Sequence, residues 1–300
     1  MRMRILFHTA IYCLVICSCP LVKGQINKAY QKEIADWDRT RKEFLLSPSG
    51  WINLEGLFWL KPGSNTFGSD KTNDLVYKDA AFPKLAGYFI WENGKVSWIT
   101  KDKINTTLQD TVISKAVLFE EGITPALMAF GNFRWSIIKR DDMIGVRLRN
   151  LNASALKEFN GIKRFPVNEQ WRVNAHLEPV SSENLFITNV LGQTIVENSP
   201  GKLKFTIHGK NYQLYALTEG DQLFILFGDA TSGKTTYPTG RFVYAQLPDA
   251  NGNTILDFNK AYNPPCAFTV YATCPIPPKQ NVLPIAVDAG EKDYTISIKK

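Results

Sequence analysis

From Trp51 onward the chain is a succession of short apolar runs, each closed within a few residues by Gly, Pro, Asn or Asp. Runs recurring at intervals of roughly ten residues, with side chains that alternate in character, bury one face of a sheet and are too often interrupted for a helix bundle. Tyr88-Phe89-Ile90-Trp91 and Lys95-Val96-Ser97-Trp98 flank Glu92-Asn93-Gly94, where Asn-Gly supplies the positive φ angles of a tight hairpin. Residues 133–139 and 143–149 flank Asp141-Asp142 in the same way. Trp51-Ile52-Asn53-Leu54 and Leu57-Phe58-Trp59-Leu60 are strand-like, and residues 171–177, 202–208 and 212–217 alternate, with a turn expected at Gly209-Lys210-Asn211. Residues 223–227 and 242–247 are more continuously apolar, as in central strands covered on both faces.

One long segment has a different period. In residues 27–46, Tyr30, Ile34, Trp37 and Phe44 recur at helical spacing among charged residues, which predicts a helix packing an apolar stripe on the body. Ser47-Pro48-Ser49-Gly50 stops it, because proline cannot continue a helix. Residues 153–159 read as a second, short helix ended by Gly161. The expected architecture is therefore all-β: two sandwich- or barrel-like units, residues 51–150 and 151–300, preceded by an N-terminal helix within residues 25–50.

Ahead of that helix, Arg2 and Arg4 precede an apolar run over residues 5–22, and Val22-Lys23-Gly24 ends in a small side chain. This is the layout of a secretory signal over residues 1–24, cleaved before Gln25, and it predicts a periplasmic or secreted protein. Ile16-Cys17-Ser18-Cys19 loosely resembles a lipidation box, and the run approaches spanning length; Pro20 and Gly24 favour cleavage instead. No later segment is long and apolar enough to span a bilayer as a helix. With Arg2, Arg4 and Lys23 removed, the formal charge of +7 falls to +4. The remaining cations are interspersed with acids, without the basic stripe that nucleic acid requires. Cys13, Cys17 and Cys19 leave as well. Cys266 and Cys274 remain, eight positions apart, and are expected to pair in an oxidising compartment.

Gly228-Asp229-Ala230-Thr231-Ser232-Gly233-Lys234-Thr235 matches the phosphate-binding loop consensus. That chemistry needs a helix starting at the lysine, with its N–H groups aimed at the phosphates. Pro238 and Gly240 follow instead, so a hairpin loop without a nucleotide is expected. No metal or cofactor motif is present: His176 and His208 lie in strand patterns, and the two cysteines lack the ligand spacing of a zinc site.

Two family resemblances are carried by specific residues. Gly63-Ser64-Asn65-Thr66-Phe67-Gly68-Ser69-Asp70, Asn73-Asp74-Leu75-Val76-Tyr77 and Ala86-Gly87-Tyr88-Phe89 resemble the start of a forkhead-associated domain, which implies a β-sandwich over residues 51–150. Ser69 stands where that family has its phosphate-binding arginine, and a neutral hydroxyl cannot replace a bidentate guanidinium. Farther on, residues 257–275 join Asp229-Ala230-Thr231-Ser232-Gly233-Lys234, Gly240-Arg241-Phe242 and Ala289-Gly290-Glu291-Lys292. Together they closely resemble domain-of-unknown-function family 1684, over an expected span from about Trp51 to Lys292; the resemblance implies a unit and no activity.

The Pro- and Cys-rich stretch admits a structural role, as a loop stapled by Cys266 and Cys274. It also admits a ligand site for a small molecule or glycan, with Arg241, Asn259, Tyr262, Asn263 and Tyr271 as binding candidates. An alternative is a cell-envelope hydrolase using two of Asp257, Asp229 and Glu291 as acid and base.

Overall fold

The computed structural model describes residues 27–180 and 184–294. The expected signal and its cysteines lie outside the described residues. Among these, no helix is long and apolar enough to cross a membrane.

Helix α1 (Lys28–Leu46) begins at Asn27, whose side chain accepts from the Ala29 N–H. It is followed by β1 (Leu54–Trp59), β2 (Gly63–Gly68), β3 (Leu75–Val76), β4 (Gly87–Glu92), β5 (Lys95–Thr100) and β6 (Thr107–Leu108). Then come β7 (Thr111–Val112), β8 (Lys115–Phe119), β9 (Met128–Phe130), β10 (Phe133–Arg140) and β11 (Met143–Asn150). These strands make two facing sheets, ordered β1-β11-β10-β9-β6-β7 and β3-β2-β4-β5-β8. The period-two pattern sends Phe89, Trp98, Phe133, Trp135 and Ile137 inward, where they are buried. Phe67 lies at the centre, with ring centroids of Phe58, Phe82, Phe89, Trp98 and Trp135 at 5.0–6.4 Å. Asn93 and Gly94 both have positive φ, as the Asn-Gly hairpin requires.

After α2 (Ser154–Glu158) come β12 (Arg172–Pro179), β13 (Asn184–Thr188), β14 (Thr194–Asn198), β15 (Gly201–Ile207) and β16 (Lys210–Glu219). The last strands are β17 (Gln222–Phe227), β18 (Arg241–Gln246) and β19 (Asn253–Asp257). Six form one antiparallel sheet, β18-β17-β16-β15-β12-β19. It curls until its ends approach, where the Thr254 hydroxyl donates to Gln246 O at 2.9 Å. Val173, Leu203, Phe205, Leu223, Val243 and Phe258 are among the side chains that fill it. The β13–β14 hairpin lies outside as a flap, its Leu185 and Ile187 packed on Leu226 and Phe242.

The all-β class and the leading helix are as expected, and several local expectations are corrected. Trp51, Ile52 and Asn53 form a turn, because the Asn53 amide donates to Ser47 O and Pro48 O and holds the helix exit closed. The expected turn at residues 209–211 shifts back to His208-Gly209, both at positive φ, so His208 leaves the strand. β18 is the last strand of its sheet and not a central one. Its continuous apolarity arises because Val243 and Ala245 face the interior while Phe242 is covered by the flap and Tyr262. Phe44 is 42% exposed on α1 and does not join a buried stripe.

Candidate functional site

The motif residues fold into a buried polar frame. Asp257, at the end of β19, accepts the Tyr30 hydroxyl of α1 at 2.9 Å, and Asn259 donates to the same hydroxyl at 2.9 Å. Burial and the adjacent Asp257 carboxylate push the Tyr30 phenol well above its ordinary range, so it remains a donor. Asn259 also donates to Asn168 O and accepts from Asn168 N–H, each near 3 Å. Glu291 is fully buried, taking the Asn263 N–H at 2.7 Å and Arg41 Nε of α1 at 3.3 Å. Arg241 is also fully buried; it donates to Asp229 at 2.7 Å, to Val287 O at 2.9 Å and to Ala289 O. Gly290, at φ +74°, lets this segment pass where a Cβ would stand 2.4 Å from Ala261 O. Every one of these groups fastens either α1 or the C-terminal segment to the curled sheet.

Residues 228–235 run as tight turns between β17 and β18, with no helix following. Asp229 in this loop is turned inward onto Arg241. The Ser69 hydroxyl donates to Phe82 O.

The frame closes one side of a cleft of about 920 Å³. From α1 come Trp37, Thr40, Arg41 and Phe44; from the curled sheet and its C-terminal extension, Glu219, Phe224, Phe242, Tyr244 and Tyr262. The outer face of the first sandwich contributes Arg140 and Arg147, the turn after α1 contributes Trp51, and the disulfide loop contributes Pro265, Thr273, Cys274 and Pro275. Tyr244 and Tyr262 stack at 11° between planes, and the Arg41 guanidinium lies 4.6 Å from the Tyr262 centroid. Tyr244 donates to Glu219 at 2.7 Å, and burial with that carboxylate raises its phenol to about 12.

The cations are unevenly compensated. Arg41 faces Glu291. Arg140 Nε and Arg147 Nη2 instead both donate to one neutral acceptor, Thr273 Oγ1, at 2.9 and 3.3 Å. Among the described residues neither has a carboxylate in ion-pair contact, and the buried Arg147 Nε has no acceptor at all. Burial, joined by the charges of Arg140 and Arg149, pulls Arg147 down to about 10, still charged at neutral pH. A desolvated cation without a counter-charge is a cost to the fold. Arg147→Met should therefore leave the unfolding free energy within about 1 kcal/mol of wild type. Urea denaturation checks this, and a loss above about 2 kcal/mol would mean that the guanidinium is a structural clamp.

Cys266 and Cys274 are bonded, with Cα atoms 6.1 Å apart, and Thr273 is thereby held against Arg140 and Arg147. Cys266→Ser with Cys274→Ser should cost about 2–3 kcal/mol by the loop-closure argument. It should also loosen Thr273, measurable as faster exchange of the Val190 amide, which donates to the neighbouring Cys274 O at 3.0 Å.

Of the expected site residues, Tyr262 lines the cleft and Cys274 forms part of its wall. Asp257 lines a neighbouring groove that shares Trp37, Tyr244 and Tyr262 with it. Asp229, Arg241, Asn259, Asn263 and Glu291 are buried in the frame, and Tyr271 is 37% exposed on the disulfide loop. The three candidate carboxylates therefore do not converge on the cleft, whose one described carboxylate is Glu219. Arg140, Arg147, Thr273 and Tyr244 escaped the sequence reading. On β10 and β11 the arginines occupy outward positions, where a strand pattern cannot distinguish a cleft wall from a solvated face.

No curated protein matches this chain. Among solved structures, an uncharacterized protein from gene locus rrnAC0354 of Haloarcula marismortui is 27% identical, covering 49% of this chain and 82% of that one at a TM-score of 0.39. The FhaA FHA domain, solved with the intracellular domain of Rv3910, is 13% identical over 31% of this chain and 97% of its own, at a TM-score of 0.23. A structure titled for phosphothreonine-dependent FHA domain interactions is 14% identical, again over 31% of this chain, with 92% of its own covered and a TM-score of 0.23. Residues 157–292 match the family described as "Protein of unknown function (DUF1684)", so the resemblance in the motif loops is borne out, over the second half of the chain and not from Trp51.

Proposed function

We propose that the protein binds a small organic ligand in the cleft between α1, the outer face of β10–β11 and the β16–β18 wall. The observation that carries this reading is the cleft's composition. An aromatic, mostly apolar chamber of about 920 Å³ holds two guanidiniums that meet on a neutral hydroxyl and have no carboxylate in ion-pair contact, and small-ligand sites combine such walls with a few fixed polar groups. The motif frame supports the reading from behind. Asp257, Asn259, Asn263 and Glu291 hold α1 and Arg41 in place, so the chamber is set before a ligand arrives. Its place between the sandwich and the curled sheet would couple occupancy to their docking.

The test is a thermal-shift screen of small organic fragments against the wild type and Thr40→Trp. Thr40 is exposed on α1 at the cleft, and an indole there occupies the chamber without disturbing the core. A ligand at ten times its Kd adds about 1.4 kcal/mol to stability. Hits should raise the wild-type Tm and leave Thr40→Trp unmoved. Hits that stabilise both proteins equally, or a screen with none, would overturn the reading.

A further inference from the structure

We propose that the ligand of this cleft is an aromatic anion, a ring bearing a single carboxylate or phosphate group, an assignment that rests on the binding reading above. Arg140 and Arg147 converge on Thr273 Oγ1 from β10 and β11. Two guanidiniums brought together repel, and one neutral hydroxyl does not offset that. The arrangement is completed by an anion, which accepts charge-assisted hydrogen bonds from both. The third cation of the chamber makes the contrast. Arg41 already has Glu291 and lies over the Tyr262 ring, so it stiffens the aromatic wall and leaves the anion to the other two.

The ring follows from what stands beside the guanidiniums. Trp37, Phe224, Phe242, Tyr244 and Tyr262 present π faces and edges along one side, and Trp51 lies under Arg147 with its centroid 5.3 Å from the guanidinium carbon. Such walls favour a planar ligand by offset or edge-on contact. Glu219, held by Tyr244 on the curled-sheet wall, repels a second anionic group, so the charge belongs at one end only. An uncharged sugar would meet the same rings and leave both guanidiniums without a counter-charge.

The experiment is isothermal titration of the purified protein with phenyl phosphate, benzoate, phenol, inorganic phosphate and maltose. Phenyl phosphate or benzoate should bind at least about tenfold more tightly than phenol or inorganic phosphate, since ring and charge are both read. Arg147→Met and Arg140→Met should each weaken the preferred anion by about 10- to 100-fold, and Arg147→Lys by less, because an ammonium keeps charge without the fork. The order of phenyl phosphate and benzoate identifies the anionic group. Phenol or maltose binding as well as the aryl anions, unaffected by Arg147→Met and abolished by Thr40→Trp, would overturn the anion assignment and leave the binding reading standing. Failure of all five probes, with fragments also indifferent to Thr40→Trp, would overturn both.

Discussion

Replacing Arg241 with alanine is expected to cost about 3–5 kcal/mol of unfolding free energy. The side chain is fully buried, and its partner Asp229 is 1% exposed. Truncation leaves that carboxylate buried beside no cation, and it strips the carbonyls of Val287 and Ala289 of their donor. The damage should spread along the chain. Residues 287–291 lead to Glu291, which holds Arg41, so α1 loses part of its anchorage and the cleft one of its walls. Urea unfolding measures the effect. The double variant Arg241→Leu with Asp229→Leu should recover much of the loss, because removing both charges removes the uncompensated one. A single-variant cost under about 1 kcal/mol would show that Asp229 finds water or another donor, and that the frame is less rigid than its geometry implies.

Phe67→Ala is expected to cost a similar amount, about 3–5 kcal/mol, by a different route. The ring is fully buried and meets five other aromatic rings, four from the two sheets of the first sandwich and Phe82 from the loop between β3 and β4. None of those neighbours can move into the space without losing its own contacts, so the penalty includes a cavity as well as the lost transfer energy. The urea midpoint should fall with an unchanged slope if the variant unfolds in one step. A fall of less than about 1.5 kcal/mol would mean that the sandwich relaxes around the void. Arg140 and Arg147 lie on the other face of β10 and β11, so a folded Phe67→Ala protein should keep its cleft.

Much of the fold could be read because its causes are local. The runs on either side of Asp141-Asp142 named the β10–β11 hairpin, Asn93-Gly94 named that of β4 and β5, and Pro48 with Gly50 ended α1 within a residue of its observed stop. The flap went unread even though Leu185-Phe186-Ile187 and Ile195-Val196 are β-branched or apolar, because one face of it is exposed and its pairing depends on the wall it covers. The motif loops were recognised as special from their Pro, Cys, Asn and Asp content. That content did not reveal whether the polar groups point into a cleft or into each other.

By itself the sequence determined the all-β class, the single long helix and most hairpin positions, and it named Cys266 and Cys274 as candidates for a pair that the structure bonds. Each depends on residues close together in the chain, where backbone geometry and side-chain periodicity act directly. Only the tertiary structure decided that Asp229, Arg241, Asp257, Asn259, Asn263 and Glu291 form a frame, and that Arg140, Arg147 and Thr273 meet across more than 120 residues. Alternation along a strand records which side chains leave the core and carries no information about what packs against the outer face. The charge environment of the cleft comes from that packing.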